Sequence, residues 1–403
     1  MRVTALLILF PLFVAAQLRI EPAKQNLLKV SNTIRTGAQQ TEVYLPLLDG
    51  KRVGVVGNHT SMVDEVHLVD LLIANRITVA AVYAPEHGFR GDAGAGETIR
   101  DGRDAKTGLP IFSLYGSTKK PTPKMLEGID LLVFDMQDVG ARFYTYLSTL
   151  HYVMEAAAEQ KIPVVVLDRP NPNGFYTDGP ILNPAFASFV GMHPIPLVHG
   201  MTLGELAQMI NGEGWLKGKV KAELTVVPCA NYRKSDLFIL ETDPSPNLTS
   251  MDAVYLYPSL CLFEPTVVSI GRGTDTPFEI YGHPEVRFGN YQFTPESRQG
   301  KAPNPKHKGK LCYGQDVSSF GSFYPQTHRQ LYLDWLLATY AKYTAEKGAG
   351  FFTEPDFFDK LAGTDALRKQ IIAGKTADEI RASWAQGLID FEVQRMPYLL
   401  YPG

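Results

Sequence analysis

Cysteine is scarce. Three residues, Cys229, Cys261 and Cys312, allow at most one disulfide, and no paired CxxC or histidine-rich helix accompanies them. Neither a disulfide scaffold nor a structural zinc knot is therefore expected, and the reading includes no metal and no cofactor. An excess of one charge sign is also missing: 39 basic against 42 acidic residues give a formal net charge of -3. That balance provides no global field for nucleic acid or an anionic membrane, so an anionic ligand has to be met locally. The first apolar strand runs into GNHTS rather than GxGxxG, no phosphate-binding GxxxxGK[ST] occurs, and no GxSxG nucleophile elbow is present. Dinucleotide binding and one common form of ester or amide hydrolysis lose their support. Long hydrophobic runs are absent after the N-terminus, where Arg2, the apolar stretch Val3 to Val14 and the small residues Ala15 and Ala16 stand in order. This is the anatomy of a signal peptide over residues 1–16, too short to span a bilayer comfortably, and no cysteine follows it for lipid anchoring. A periplasmic or secreted protein is expected, with no membrane insertion once the signal is removed.

What is present is an ordinary globular composition, 45% hydrophobic and 20% charged over 403 residues, enough for two domains. From Lys51 to Gly174, apolar strand candidates alternate with helix candidates at Val66 to Arg76, Pro123 to Gly128 and Thr149 to Lys161. Such alternation implies parallel strands joined by right-handed crossovers, and strands rich in Val, Ile, Leu and Phe imply helices on both faces. The fold class is α/β: a Rossmann-like parallel sheet domain over residues 40–180, with a smaller α+β domain over 181–403. In the second half, TLGE from Thr202 to Glu205 reads as a capping box opening a helix. Leu224 to Pro228 and Cys261 to Ile270 read as strands, Gln326 to Lys347 and Asp378 to Gln394 as amphipathic helices, and Arg298 to Lys310 as an exposed loop.

Four strand candidates deliver polar residues into their following loops, and in a parallel sheet those carboxyl ends converge on one crevice. TVAAVYAPEHGFRG (Thr78 to Gly91) brings Glu86, His87 and Arg90 into a loop with Gly88, Gly91, Gly94 and Gly96. A carboxylate so placed is suited to general acid catalysis beneath a lid; the alternative is an ion pair that fixes the loop. Asn58, His59, Thr60 and Ser61 could bond a hydroxyl-rich ligand or cap the next helix. Asp135, Gln137, Asp138, Arg142, Tyr144 and Tyr146 follow the third core strand, where a partner for Glu86 belongs. A second carboxylate or an activated tyrosine is what glycosidic cleavage asks of that place, although either tyrosine could instead be packing. Asp168 opens the DRPNPNG loop as a substrate residue, a turn former or a partner of Arg169. In the second domain, Arg272 and Glu279 lie in GRGTDTPFE, where a ligand role and an ion pair are both open.

These segments, GNHTS, PEHGFRG, DxxTGLP, FDMQDVGARFYTY, LDRPNPNG, VHGMTLGELA, PSPNL and SIGRGTDTPFE, taken in order, resemble the exo-β-N-acetylmuramidase family, glycoside hydrolase family 171. The resemblance runs from about residue 40 to the C-terminus. It implies release of N-acetylmuramic acid from the non-reducing end of peptidoglycan-derived glycans, in cell-wall turnover or recycling. It also implies that the family's proposed catalytic glutamate corresponds to Glu86, and its tyrosine to Tyr144 or Tyr146. Asp138 is the other candidate to assist at the anomeric carbon. The lactyl carboxylate of such a substrate calls for a cation, either Arg142 or Arg272. A non-catalytic muramyl-sugar binding protein would use the same crevice, and turnover separates the two readings.

Overall fold

The computed structural model describes residues 29–30, 33–86, 88–90 and 101–403. Residues 1–16, read as a signal peptide, His87 and the glycine-rich segment from Gly91 to Arg100 lie outside the described residues. Among the described residues seven strands form the main sheet: β1 (Arg52–Gly57), β2 (Thr78–Ala84), β3 (Gly102–Arg103), β4 (Pro110–Ser113), β5 (Leu131–Asp135), β6 (Val164–Leu167) and β7 (Leu224–Val227). Their order is β7-β6-β5-β1-β2-β4-β3, parallel throughout except for the short antiparallel β3 at one edge. Setting β3 aside, this is the order of a doubly wound Rossmann sheet, with the direction of winding reversing between β1 and β5.

The strands are apolar because both faces are covered. On one face Val53, Val55, Val82, Val133 and Val165 pack with Tyr44 and Leu48 of α1 (Thr41–Leu48) and Leu68, Val69 and Leu72 of α2 (Leu68–Ala74). On the other, Val56, Tyr83, Leu132, Phe134, Val164 and Val166 join α3 (Tyr146–Gln160) and α4 (Leu203–Gly212). Successive residues thus serve opposite cores, and β5 and β6 carry no exposed position. The capping box at the start of α4 is present, Thr202 accepting from the Glu205 N–H while the Glu205 carboxylate accepts from the Thr202 N–H.

The remainder is α+β. Strands β8 (Ile280–His283), β9 (Tyr291–Phe293) and β10 (Cys312–Asp316) form an antiparallel sheet with β10 central. Around them lie α5 (Met251–Leu260), α6 (Ser318–Thr327), α7 (Asp334–Lys347), α8 (Pro355–Ala362), α9 (Ala366–Ile372) and α10 (Ala377–Arg395). Several local expectations change, and the helix read over Gln326 to Lys347 begins only at Asp334, α6 ending at Thr327. Pro123 to Gly128 is a run of turns, and Cys261–Phe263 continues α5 as a 3₁₀ turn instead of opening a strand. That apolar run is buried on every side, a situation in which periodicity does not separate helix from strand. The sheet also takes β7 from beyond residue 180, so its edge and the boundary drawn there do not coincide. The larger core runs without a break from β5 through α5 to Phe391 of α10.

Candidate active site

Glu86 stands two residues beyond the carboxyl end of β2, and among the described residues two hydroxyls bond its carboxylate. Tyr115, just past β4, donates to Oε1 at 3.0 Å, and Thr145, immediately before α3, donates to Oε2 at 3.2 Å. The carboxylate therefore sits beside the N-terminus of the 15-residue α3. Burial first, and the Glu86 charge second, push the Tyr115 phenol up, which keeps it a proton-bearing donor.

Glu86 is shared between two cavities. The larger is a cleft of about 770 Å³ between the sheet and the second domain, lined by Glu264, Arg272, Lys301, Lys306 and Glu354 as well as Glu86. The smaller, about 70 Å³, keeps Glu86 and Arg272 as walls and adds mainly rings, among them Phe143, Tyr144, Tyr146 and Phe278. Arg272 is anchored by its Nε to Glu264 at 2.5 Å and lies over the Phe278 ring. Lys306 donates to the carbonyls of Glu264 and Thr266, and burial lowers its amine to about 8. The segment Arg298 to Lys310, read as an exposed loop, is a wall of the cleft.

Of the residues singled out in the sequence, Glu86, Tyr144, Tyr146 and Arg272 come together here. The tyrosines meet edge to face, with ring centroids 4.8 Å apart. The Tyr144 hydroxyl donates to the Pro244 carbonyl at 2.5 Å, and burial raises both phenols. Each is a neutral ring with a fixed hydroxyl, a poor match to an ionised nucleophile.

Most other strand-end candidates are bonded within the fold, by partners from several parts of the chain. Asn58 donates to the Tyr146 hydroxyl and accepts from Thr60, while His59 meets the Asp243 carbonyl at 2.8 Å. Gln137 donates to the carbonyls of Asp138 and Pro170. Asp138 lines neither cavity: one oxygen accepts from the Gly140 N–H at 2.7 Å, and burial pushes its carboxyl up to about 7. Asp168 accepts from Thr202, the Gly204 N–H and Tyr401, holding α4 to the chain's end. Arg90 is braced by Asp104 and Asp70 at a separate cavity. Glu279 accepts from Ser250, the cap of α5. Arg142 corrects the expectation of a carboxylate reader. Its guanidinium is 1% exposed and donates to four carbonyls, those of Pro180, Ile195, Leu361 and Ala362. Such burial without hydrogen bonding would be costly, so the interior fixes these side chains as bonding partners.

Tyr115, Thr145, Lys301, Lys306 and Glu354 were not read from the sequence as site residues. Thr145 lies inside the FYTY segment and Tyr115 just past the strand beside β2, whereas Lys301, Lys306 and Glu354 reach the cleft from distant loops.

The comparisons agree with this architecture. Residues 53–252 match the model for the N-terminal part of the exo-β-N-acetylmuramidase NamZ, and residues 255–401 match its C-terminal part. The chain is 41% identical over 391 residues to the peptidoglycan β-N-acetylmuramidase NamZ of Bacillus subtilis (strain 168), covering 89% of each. Among solved structures, a DUF1343 family protein of Bacteroides fragilis NCTC 9343 is similar with TM-score 0.82 and 46% identity, over 92% of this chain and 99% of that one. A second protein of that family and organism is similar with TM-score 0.74 and 28% identity, over 91% and 99%. With both halves matched in order and a relative of this identity spanning most of its length, the chain belongs to the exo-β-N-acetylmuramidase family.

Proposed function

We propose that this protein is an exo-acting glycoside hydrolase that releases N-acetylmuramic acid from the non-reducing end of peptidoglycan-derived glycans, with Glu86 as the general acid. The observation that carries the assignment is the position of Glu86. Among the described residues its carboxylate is the one that borders both the cleft and the ring-lined cavity, and each of its oxygens accepts from a neutral hydroxyl. A carboxyl so oriented can give its proton to the glycosidic oxygen as the bond to the anomeric carbon breaks. Tyr144 and Tyr146 act as walls that fix the sugar beside it. Arg272 and Lys301 supply positive charge for the lactyl carboxylate, the group that distinguishes a muramyl from a glucosaminyl sugar. Asp138 supports the loop bearing the two tyrosines. Work on the cell wall fits the N-terminal signal sequence, and we assign the mature protein to the periplasm or the exterior; retention in the cytoplasm of an otherwise native full-length chain would refute that location.

The decisive experiment incubates the protein with a chromogenic β-N-acetylmuramide and the matching β-N-acetylglucosaminide, alongside Glu86→Gln. Cleavage of the muramide alone is expected, with the variant reduced by a factor of about 10² to 10⁴ while still binding the sugar. Full activity in the variant would remove Glu86 from the mechanism, and sugar binding without product from wild type would leave a binding protein.

A further inference from the structure

Residues 188–198 form an irregular strap along the start of α3, tied there by side chains on and just before the helix. Ser148 donates to the Phe189 carbonyl at 2.7 Å, and Arg142 donates to the Ile195 and Leu197 carbonyls, each at 2.7 Å. The remaining tie is a pair of imidazoles, His151 Nδ1 meeting His193 Nε2 at 2.9 Å. Both rings are buried, and His193 stacks on Trp215. Two neutral imidazoles share a single proton across such a contact. Of the outer nitrogens, His151 Nε2 lies 3.6 Å from a Glu155 oxygen, and His193 Nδ1 has no hydrogen-bond partner among the described residues. The charged groups around the pair come from several parts of the chain. Lys120 donates to Glu155 and Glu159 of α3, each at 2.7 Å, and the Lys217 N–H donates to Glu155 at 2.8 Å. On the far side His199 faces His193, with Asp138 3.9 Å from it and Lys234, Arg395 and Arg142 beyond.

We infer that the His151–His193 contact is an acid-sensitive latch: protonation of both rings parts them, frees the strap from α3 and loosens the seat that Thr145 gives Glu86. A first added proton has a favourable place at His151 Nε2, facing Glu155, although Lys120 and the Lys217 N–H already serve that carboxylate. A second sets two N–H groups and two positive charges against each other across 2.9 Å, so donor meets donor and the bond is lost. Burial outweighs the pull of Glu155 and holds His151 below the usual imidazole range; burial, then repulsion from His151 and His199, holds His193 well below it. The unfolded chain accepts both protons near the ordinary value of about 6.5. The latch therefore contributes in full above that value, and its contribution is lost as pH falls below it. Thr145 stands immediately before α3 and donates to Glu86, so slack in the helix's first turn reaches the acid. That last link rests on the muramidase reading; the latch itself does not.

The test measures amide exchange on the intact protein, corrected for the intrinsic rate. The amides are Gly191 and Ile195 in the strap and Thr149, whose N–H bonds the Thr145 carbonyl at 3.0 Å, with β5 as internal standard. From pH 6.5 to 5.5 wild type is expected to lose protection there relative to β5 by a factor of about 10 to 10², up to tenfold for each proton the open form gains. His193→Gln retains a hydrogen-bonding group that does not titrate, and is expected to hold its protection over that range. Imidazole titration of wild type by NMR needs no variant: the two rings should reach full protonation only as protection falls. Full protonation of both near pH 6.5 with protection unchanged would overturn the latch, as would equal losses in wild type and His193→Gln. In parallel, kcat/KM on the chromogenic muramide is expected to fall more steeply toward pH 5.5 in wild type than in the variant, and equal falls would overturn the link to Glu86. Exchange and titration use no substrate, so an absence of cleavage would overturn the muramidase reading while the latch is still decided by them.

Discussion

Arg142 and Asp138 follow one another within a short loop, and burial acts on both in opposite directions. Burial pulls the Arg142 guanidinium down to about 9, and the fold answers with carbonyls from the loop before α4 and from the C-terminal end of α8. Replacing it with leucine strands those carbonyls, so Arg142→Leu is expected to cost about 3 kcal/mol or more in urea denaturation, through desolvation of unpaired acceptors. A loss below 1 kcal/mol, about the worth of one ordinary hydrogen bond, would mean that water replaces the clamp. Asp138 sits with His199 Nε2 at 3.9 Å, and burial raises its carboxyl from 3.8 to about 7. The folded protein thus binds this proton more tightly than the unfolded chain does. Its contribution to stability is complete below the unfolded value and is lost as pH rises through about 7. Asp138→Asn is expected to remove that part of the decline, so the difference in Tm between variant and wild type should grow from about pH 4 to about pH 8. A difference constant with pH would show that Asp138 is not the group responsible.

At the scale of elements, the parallel strands were readable because burial on both faces leaves a continuous apolar run that few other structures produce. The helix after TLGE was readable because its cap is local chemistry. Cys261–Phe263 and Pro123 to Gly128 were misread for the converse reason, since short buried or proline-bounded stretches carry no periodicity long enough to separate their alternatives. Strand β10 makes its own demand on the sequence: a Cβ at Gly314 would lie 1.6 Å from the Tyr281 carbonyl oxygen of β8. Gly314→Ala is therefore expected to push β8 and β10 apart and lower Tm by several degrees, with a smaller effect on the Rossmann sheet, read as faster amide exchange in Ile280–His283 than in β5. Unchanged exchange in β8 would show that the small sheet absorbs a methyl group without moving.

Across the whole molecule, the chain's last residues return to the first domain. Tyr401 donates to Asp168 at 2.5 Å and accepts from the Cys229 N–H at 2.8 Å, while the Leu400 N–H reaches Glu205 and the Lys234 N–H reaches the Pro402 carbonyl. Burial raises the Asp168 carboxyl to about 6, and Tyr401 supplies one of the donors that offset it. Tyr401→Phe is expected to destabilise the protein by about 1–3 kcal/mol, the usual cost of leaving a buried acceptor short of a partner. Because one core spans both parts, calorimetry of that variant and of wild type should each show a single transition; two separated transitions would mean that the parts unfold independently. By itself the sequence determined the α/β class, the parallel sheet and the polar strand ends, Glu86 among them, since each depends on local pattern or on a residue's place at a strand end. Tertiary structure alone decided which of those polar groups remain at a cavity. Arg142 and Asp168 are drawn into bonds by segments far away in the chain, whereas Lys301 and Lys306 are brought from a distant loop to the cleft that Glu86 lines, and no local signal records contacts made across more than 200 residues.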